Sequence, residues 1–383
     1  MIDSQAVIFA VIIFIIISVA VFLKLRIPRL GIPDNTSETN KLKILDEWLE
    51  LLHKKEKFNG AVLLSQQGKV LFSKAYGYDC AEPPKPLTER SSFNLASVSK
   101  QFTAMGIVLL KEQKKLKYSD KVSDYIPELL CYKDVTILQL LHHTSGLPDY
   151  MFLAGKYLNK SETFITSEMI SLYQTYHPDL NFKSGTKFQY SNAGYVLLAE
   201  LIERISANSF QEFMASHIFK PLNMKDTQVF NLLSKNEPVK RVYGFKRKFW
   251  FLGDKNELKD LNYFDGVAGD GGIYSSAHDL NIWHNALRDG ILVSNKTYKE
   301  AYSPAQLEDG SKTKYGFGWF INGDNSVEHA GGWQGFTSYI YRNMKNDQLI
   351  VILDNSSNSI RVNSIGFRFH SIGLNLKYFL SRY

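Results

Sequence analysis

Cysteine is almost absent from this chain. Its 383 residues include two, Cys80 and Cys131, which show neither CxxC nor metal-ligand spacing, and the sequence leaves open whether they pair. Nine histidines are present, but no HExxH. The adjacent His142 and His143 fall at a predicted helix end before Gly146, a position that reads as structural rather than metal-binding. There is no Walker loop, and the stretch YGFGWF at Tyr315 to Phe320 lacks the third glycine of a dinucleotide fingerprint. Neither a cofactor nor a metal is therefore expected. The net charge of +7 is spread along the chain with no run of five or six basic residues, which argues against a nucleic-acid groove. A mild attraction to anionic lipid or cell-wall polymer fits the balance better. Internal repeats and low-complexity tracts are also missing.

The remainder has the composition of a folded globular protein, with 44% hydrophobic, 22% charged and 13% aromatic residues. The length suits one large or two ordinary domains. One segment departs from this. Ala6 to Leu23 is AVIFAVIIFIIISVAVFL, with Ser18 its one polar residue. As a helix it would reach roughly 27 Å, close to the hydrocarbon thickness of a bilayer. The leader MIDSQ carries no basic residue and no small-x-small cleavage site follows, so a retained single transmembrane helix is expected rather than a cleaved signal peptide. Lys24, Arg26 and Arg29 come directly after it, and the positive-inside rule would keep the following domain in the cytoplasm.

The expected organisation is a membrane anchor over residues 1–25, a proline-containing linker over 26–40, and a folded domain over 41–383. Leu42, Leu45, Leu49 and Leu52 recur at helical spacing. Two β-rich runs flank Gln66-Gln67-Gly68, a hairpin signal. From Ser119 to about Ser234 the pattern is helical. Strand signals return after Gly269 in YGFGWFI, SVEHAGGWQGFTSYIYR and LIVILDN, and a helix is predicted from Ile365 to Phe379. Strands at both ends with helices between them predict an α+β architecture. Its sheet part would comprise about 41–115 and 270–383, with a helical part over about 116–269 inserted in it.

Three short elements carry candidate chemistry. In LASVSKQFTA, Ser97 and Lys100 stand at i and i+3 where an apolar helix begins. Residues so spaced face each other on a helix. Free backbone N–H groups at a helix start favour a developing oxyanion, and a lysine shielded from water is pushed towards its neutral, basic form. The same pattern at Ser184–Lys187 and Ser311–Lys314 sits among glycines and charges. An N-cap serine with a solvated lysine is the plainer alternative for an isolated match.

The second element is Tyr190-Ser191-Asn192, in a loop just before another apolar helix. Its tyrosine could relay a proton and its asparagine amide could hold a substrate carbonyl, against the alternative of a simple helix cap. Tyr157-Leu158-Asn159 and Tyr341-Arg342-Asn343 have the same form. The third is His329-Ala330-Gly331-Gly332 on a predicted strand, where glycines allow close approach to the backbone. There the Gly332 N–H could serve as an oxyanion donor. The alternative is a β-bulge with a surface histidine.

In this order, SxxK, YxN and HxG resemble the serine β-lactamase and penicillin-binding-protein superfamily. More narrowly they resemble the class C β-lactamase-like serine hydrolases, which include D,D-peptidases, D-aminopeptidases and esterases. FNLASVSKQFTAMGIVLL, VTILQLLHHTSGLPDY, TKFQYSNAGYVLLAELIERIS, FMASHIFKPLNMKDT and AGDGGIYSSAHDL extend the likeness over about Phe58 to Asn355.

The resemblance implies an antiparallel sheet flanked by helices, with Ser97 as acylated nucleophile and Lys100 and Tyr190 as the groups that move its proton. It also implies a substrate-amide contact at Asn192, substrate-binding positions at His329 and Gly331, and an oxyanion hole made by the Ser97 and Gly332 N–H groups. Histidine at 329, where β-lactamases usually carry lysine, weakens recognition of a substrate carboxylate. The implied reaction is acyl transfer on an amide, ester or β-lactam, with peptidoglycan-like or D-amino-acid peptides as substrates. A membrane-anchored penicillin-binding sensor that acylates without turnover is the alternative from another class, and an esterase the nearer one. Anchored relatives place such a domain in the periplasm or outside the cell, against the basic residues after the anchor.

Overall fold

The computed structural model describes residue 11 and residues 27–80, 83–158, 162–247, 256–358 and 364–383. The expected anchor, but for residue 11, lies outside these. No helix among the described residues is long and apolar enough to cross a membrane. The chain forms two compact units, one from residues 1–58 with 361–383 and one from residues 59–360.

In the first unit, helix α1 (Glu38–Lys54) is opened by Ser37, whose side chain accepts from the Asn40 N–H, and carries Glu38 in its first turn and His53 and Lys54 in its last. This distribution complements the helix dipole. It begins inside the stretch expected as linker. Leu45, Trp48, Leu49 and Leu52 are buried, as the spacing of the leucines requires. The C-terminal helix Ser364–Arg382 belongs to the same unit. Its Asn375 Oδ1 accepts the Leu30 N–H at 2.7 Å.

The second unit is built on a six-stranded antiparallel sheet. Its strands are β1 (Gly60–Gln66), β2 (Lys69–Tyr76), β3 (Phe320–Ile321), β4 (Ser326–Trp333), β5 (Phe336–Asn343) and β6 (Gln348–Asp354), in the order β2-β1-β6-β5-β4-β3. Strands from early and late in the chain thus pair directly, with Gly60 opposite Asp354. The β1–β2 turn is the expected hairpin, with Gln67 and Gly68 both at positive φ. Every residue of β5 and β6 is buried, which explains why LIVILD reads as one apolar run rather than an alternation. Helix α2 (Lys100–Glu112) packs on a later helix, α3 (Asn192–Ser206), with α4 (Ala277–Asp289) against β1 and β6.

Two expectations change. Of YGFGWFI, only Phe320–Ile321 pairs as a strand. Gly318 has φ +77, and a Cβ there would stand 2.5 Å from the Gln101 nitrogen, so this segment lies directly on the start of α2. The middle of the chain is also less purely helical than its pattern. Gln228–Val229, Phe245–Arg247 and Glu257–Leu258 join two small three-stranded sheets. Strands of two or three residues are too short to show a period of two. Cys80 and Cys131 are not disulfide-bonded.

Candidate active site

Ser97 lies in a 3-10 turn, Ala96–Ser99, that runs directly into α2. Three residues per turn eclipse positions i and i+3, so the junction brings Ser97 and Lys100 together. Neither Ser97 nor Ser99 caps a helix with its side chain. The Ser99 Oγ instead accepts the Ile273 N–H at 3.2 Å. The plain helix-cap alternative is therefore not what the serines do. Ala96 has φ +46, a strained value for a residue with a Cβ, and its N–H donates to Asn94 Oδ1 at 2.8 Å. From Ser91 to Lys100 every residue is buried except Ser97.

Lys100 is completely buried, and its Nζ has three acceptors. It lies 3.2 Å from Ser97 Oγ, 2.9 Å from Asn192 Oδ1 and 2.6 Å from the carbonyl oxygen of Asp270. The amide oxygen and the carbonyl can only accept, so two N–H bonds are committed to them. The third position faces Ser97. As an ammonium Lys100 donates there, and as a neutral amine it presents its lone pair to the serine proton.

Asn192 opens α3, and the preceding Ser191 makes no capping bond, so the cap alternative fails here too. The Lys100 Nζ stands 5.0 Å from the centroid of the Tyr190 ring, a cation–π distance. The Tyr190 hydroxyl is buried and has no hydrogen-bond partner among the described residues. The structure thus brings Tyr190 to Lys100 by its ring face rather than by its oxygen.

Strand β4 passes behind the serine turn. A Cβ on Gly331 would lie 2.4 Å from the Leu95 carbonyl oxygen, 2.5 Å from Ser338 Oγ and 2.9 Å from the Ser97 nitrogen, so only glycine fits. Ser338 Oγ, on β5, donates to the same Leu95 oxygen at 2.5 Å. The next residue, Gly332, is exposed. Strand β3 pairs with β4 at Glu328 and Val327 alone. Among the described residues, the edge from His329 to Trp333 on that side has no partner strand.

His329 is not the surface residue of the plainer reading, nor does it sit on a bulge. It is buried, with Nδ1 2.8 Å from the Ala330 oxygen and Nε2 3.0 Å from Tyr315 Oη. A carbonyl only accepts, so Nδ1 carries the proton and Nε2 accepts from Tyr315. Burial, reinforced by Lys100, pushes its pKa down to about 3. It presents a neutral ring, which offers a substrate carboxylate no charge.

Sequence reasoning passed over two further groups. The Asp270 carboxylate accepts from Tyr150 Oη at 3.1 Å. Burial raises its pKa while Lys100 opposes the rise. His143 lies on Tyr190, with ring centroids 4.3 Å apart. Asp270 was visible only as part of the segment AGDGGIYSS, and His143 only as half of a histidine pair. Of the look-alike motifs, Lys187 and Lys314 are exposed, and Ser184 Oγ is bonded to the Ser145 oxygen.

A family model described as Beta-lactamase matches residues 45–370. Over 328 residues the chain is 35% identical to a penicillin-binding protein of Bacillus subtilis (strain 168), covering 82% of this chain and 72% of that protein. An octameric penicillin-binding protein homologue from Pyrococcus abyssi superposes with a TM-score of 0.72 at 25% identity, over 88% of this chain and 78% of that one. The D-amino acid amidase of Ochrobactrum anthropi SV3, solved with D-phenylalanine, shares the fold with a TM-score of 0.69 at 22% identity, over 89% and 99%. The buried lysine against an accessible serine is thus set in a chain that belongs to the beta-lactamase family of serine hydrolases.

Proposed function

We propose that the protein hydrolyses an amide or ester through a covalent acyl-enzyme on Ser97, with D-amino-acid or peptidoglycan-like peptides as substrates and β-lactams as slow ones. The observation that carries this reading is the 3.2 Å contact between the Lys100 Nζ and Ser97 Oγ, with the other two Nζ partners fixed. Ser97 Oγ attacks the carbonyl carbon and its proton passes to neutral Lys100, with Tyr190 completing the relay to the leaving group. The N–H groups of Ser97 and Gly332 hold the oxyanion. The substrate lies extended along the open edge of β4, where the Asn192 amide can reach its carbonyl. Water then releases the acyl group from Ser97. No step calls for a metal or cofactor.

The relatives support the substrate class, since one is named a penicillin-binding protein and another a D-amino acid amidase. We further propose that residues 1–25 anchor the protein and that the catalytic domain faces the periplasm or the cell exterior, where peptidoglycan is found. The domain division at about 115 and 270 belongs to the same reading.

Intact-protein mass spectrometry after incubation with a penicillin, and separately with a fluorophosphonate, tests the chemistry. One adduct is expected on wild type and none on Ser97→Ala. An adduct that decays marks a hydrolase, and a persistent one a sensor that does not turn over. Labelling of Ser97→Ala, or none on folded wild type, would overturn the reading.

A further inference from the structure

We infer that His143 is a positioning residue for proton transfer, holding Tyr190-Ser191-Asn192 against Lys100 by gripping the chain on both sides of Tyr190. This rests on the reading of Ser97, Lys100 and Tyr190 given above. Three contacts from one residue carry it. The His143 carbonyl oxygen accepts the Gln189 N–H at 3.0 Å. Its Nδ1 accepts the Ser191 N–H at 3.2 Å. Its ring lies against the Tyr190 ring at 4.3 Å, tilted by 37°. The residues before and after Tyr190, and Tyr190 itself, are each engaged. His143 holds a left-handed conformation, φ +58. A residue with a Cβ keeps such a conformation only where its surroundings over-determine it.

The ring also has a required protonation state. Because Nδ1 accepts from Ser191, the proton sits on Nε2, which is buried with no hydrogen-bond partner among the described residues. The rings of Phe188, Tyr190, Tyr195 and Tyr315 enclose it. The titratable groups facing it are Lys100, His329 and His142 along with those three tyrosines. Burial first, then the charge of Lys100, keep His143 neutral. An imidazolium would turn an N–H against the Ser191 N–H and set a second cation beside Lys100. Below the pH at which His143 protonates the grip is released, so Tyr190 and Asn192 lose their register with the lysine.

The test measures fluorophosphonate acylation of Ser97 in the full chain across the pH range, for wild type and His143 variants of matched folded content. His143→Phe keeps a ring against Tyr190 but no acceptor for Ser191. Acylation should slow by about tenfold or more, as misplacement of a catalytic group does, and the acid limb of the rate should move. His143→Asn tolerates the left-handed backbone and restores an acceptor oxygen that does not titrate, so the rate should largely return while the acid limb stays displaced. In a Tyr190→Phe background the His143 effect should shrink to the part that acts through Asn192. If His143→Phe does not fold, His143→Gln takes its place in the same cycle. A wild-type rate and limb in the His143→Phe variant, a lower rate with an unmoved limb, or a loss undiminished in the Tyr190→Phe background would each overturn the inference. No labelling of wild type, or labelling of Ser97→Ala, would bring down the acyl-transfer reading as well.

Discussion

Lys100 and Asp270 meet through the main chain. The lysine Nζ donates to the Asp270 carbonyl oxygen at 2.6 Å, while the Asp270 carboxylate is turned to the hydroxyl of Tyr150. The contact that orients the lysine is therefore separate from the charge that stands beside it.

Asp270→Asn keeps the carbonyl contact and removes the charge. Burial raises the Asp270 pKa although Lys100 opposes it, so the folded chain keeps a proton there that the unfolded chain has lost, and stability falls as pH rises through that window. The variant should lose this fall, and its melting temperature should vary less with pH. Thermal unfolding of both proteins across pH decides this. An unchanged slope would mean that the carboxylate ionises as readily in the fold as in the unfolded chain.

Tyr190→Phe should separate stability from activity. The hydroxyl it removes is buried and makes no hydrogen bond among the described residues, and an unsatisfied buried group is a cost rather than a gain. The melting temperature should hold or rise, while acylation falls by more than about a hundredfold, the scale of losing a general base. A drop in melting temperature with activity intact would reverse both assignments.

Gly331→Ala would press a methyl group on the Leu95 oxygen, Ser338 Oγ and the Ser97 nitrogen. Overpacking of this kind costs about 1–3 kcal/mol. Because the displaced nitrogen is the proposed oxyanion donor, acylation should fall by about a hundredfold or more. Thermal unfolding and labelling rates on the same sample test the two together. A stable variant with normal rates would show that the turn can retreat.

His329 makes stability depend on pH. Its ordinary pKa is 6.5, and in the fold it is pushed down to about 3. Between those values the unfolded chain binds a proton that the folded one does not, so stability falls as pH falls through the window and is complete above it. His284, pushed down to about 2 by burial and then by Arg342 and Arg288, adds in the same direction. Replacing His329 with Gln should flatten the decline of melting temperature between pH 6.5 and about 3. An unchanged slope would mean that His329 is charged in the fold.

Much of the site could be read from the chain because its parts are local. Ser97 and Lys100 are three residues apart at the start of an apolar helix, and Asn192 opens another. The glycines at 331 and 332 announce a close backbone approach. What could not be read depends on register and on distant loops. A strand pattern with period two does not say which neighbour a side chain meets, so the Tyr315 hydroxyl against His329 could not be foreseen. Asp270 and His143 owe their places to turns far along the chain from Lys100, and neither is flagged by spacing. The all-buried strands β5 and β6 show the same limit in the sheet, where an apolar run does not reveal its partners.

The unpartnered edge of β4 sets a condition on what the enzyme can use well. A strand edge offers its bonding groups on one side at every second residue, about 6.8 Å apart. A ligand gains from it only if its own amides repeat at that interval. A peptide does so whatever its side chains are. A compact ester would meet the two proposed oxyanion donors and little else, so it would need far higher concentrations to fill the site even where its bond is the easier to break. Rulers of this kind measure length rather than identity. The protein's choice among acyl donors would then follow how far each extends in a straight line, and that can be read by comparing a series of oligopeptides of increasing length.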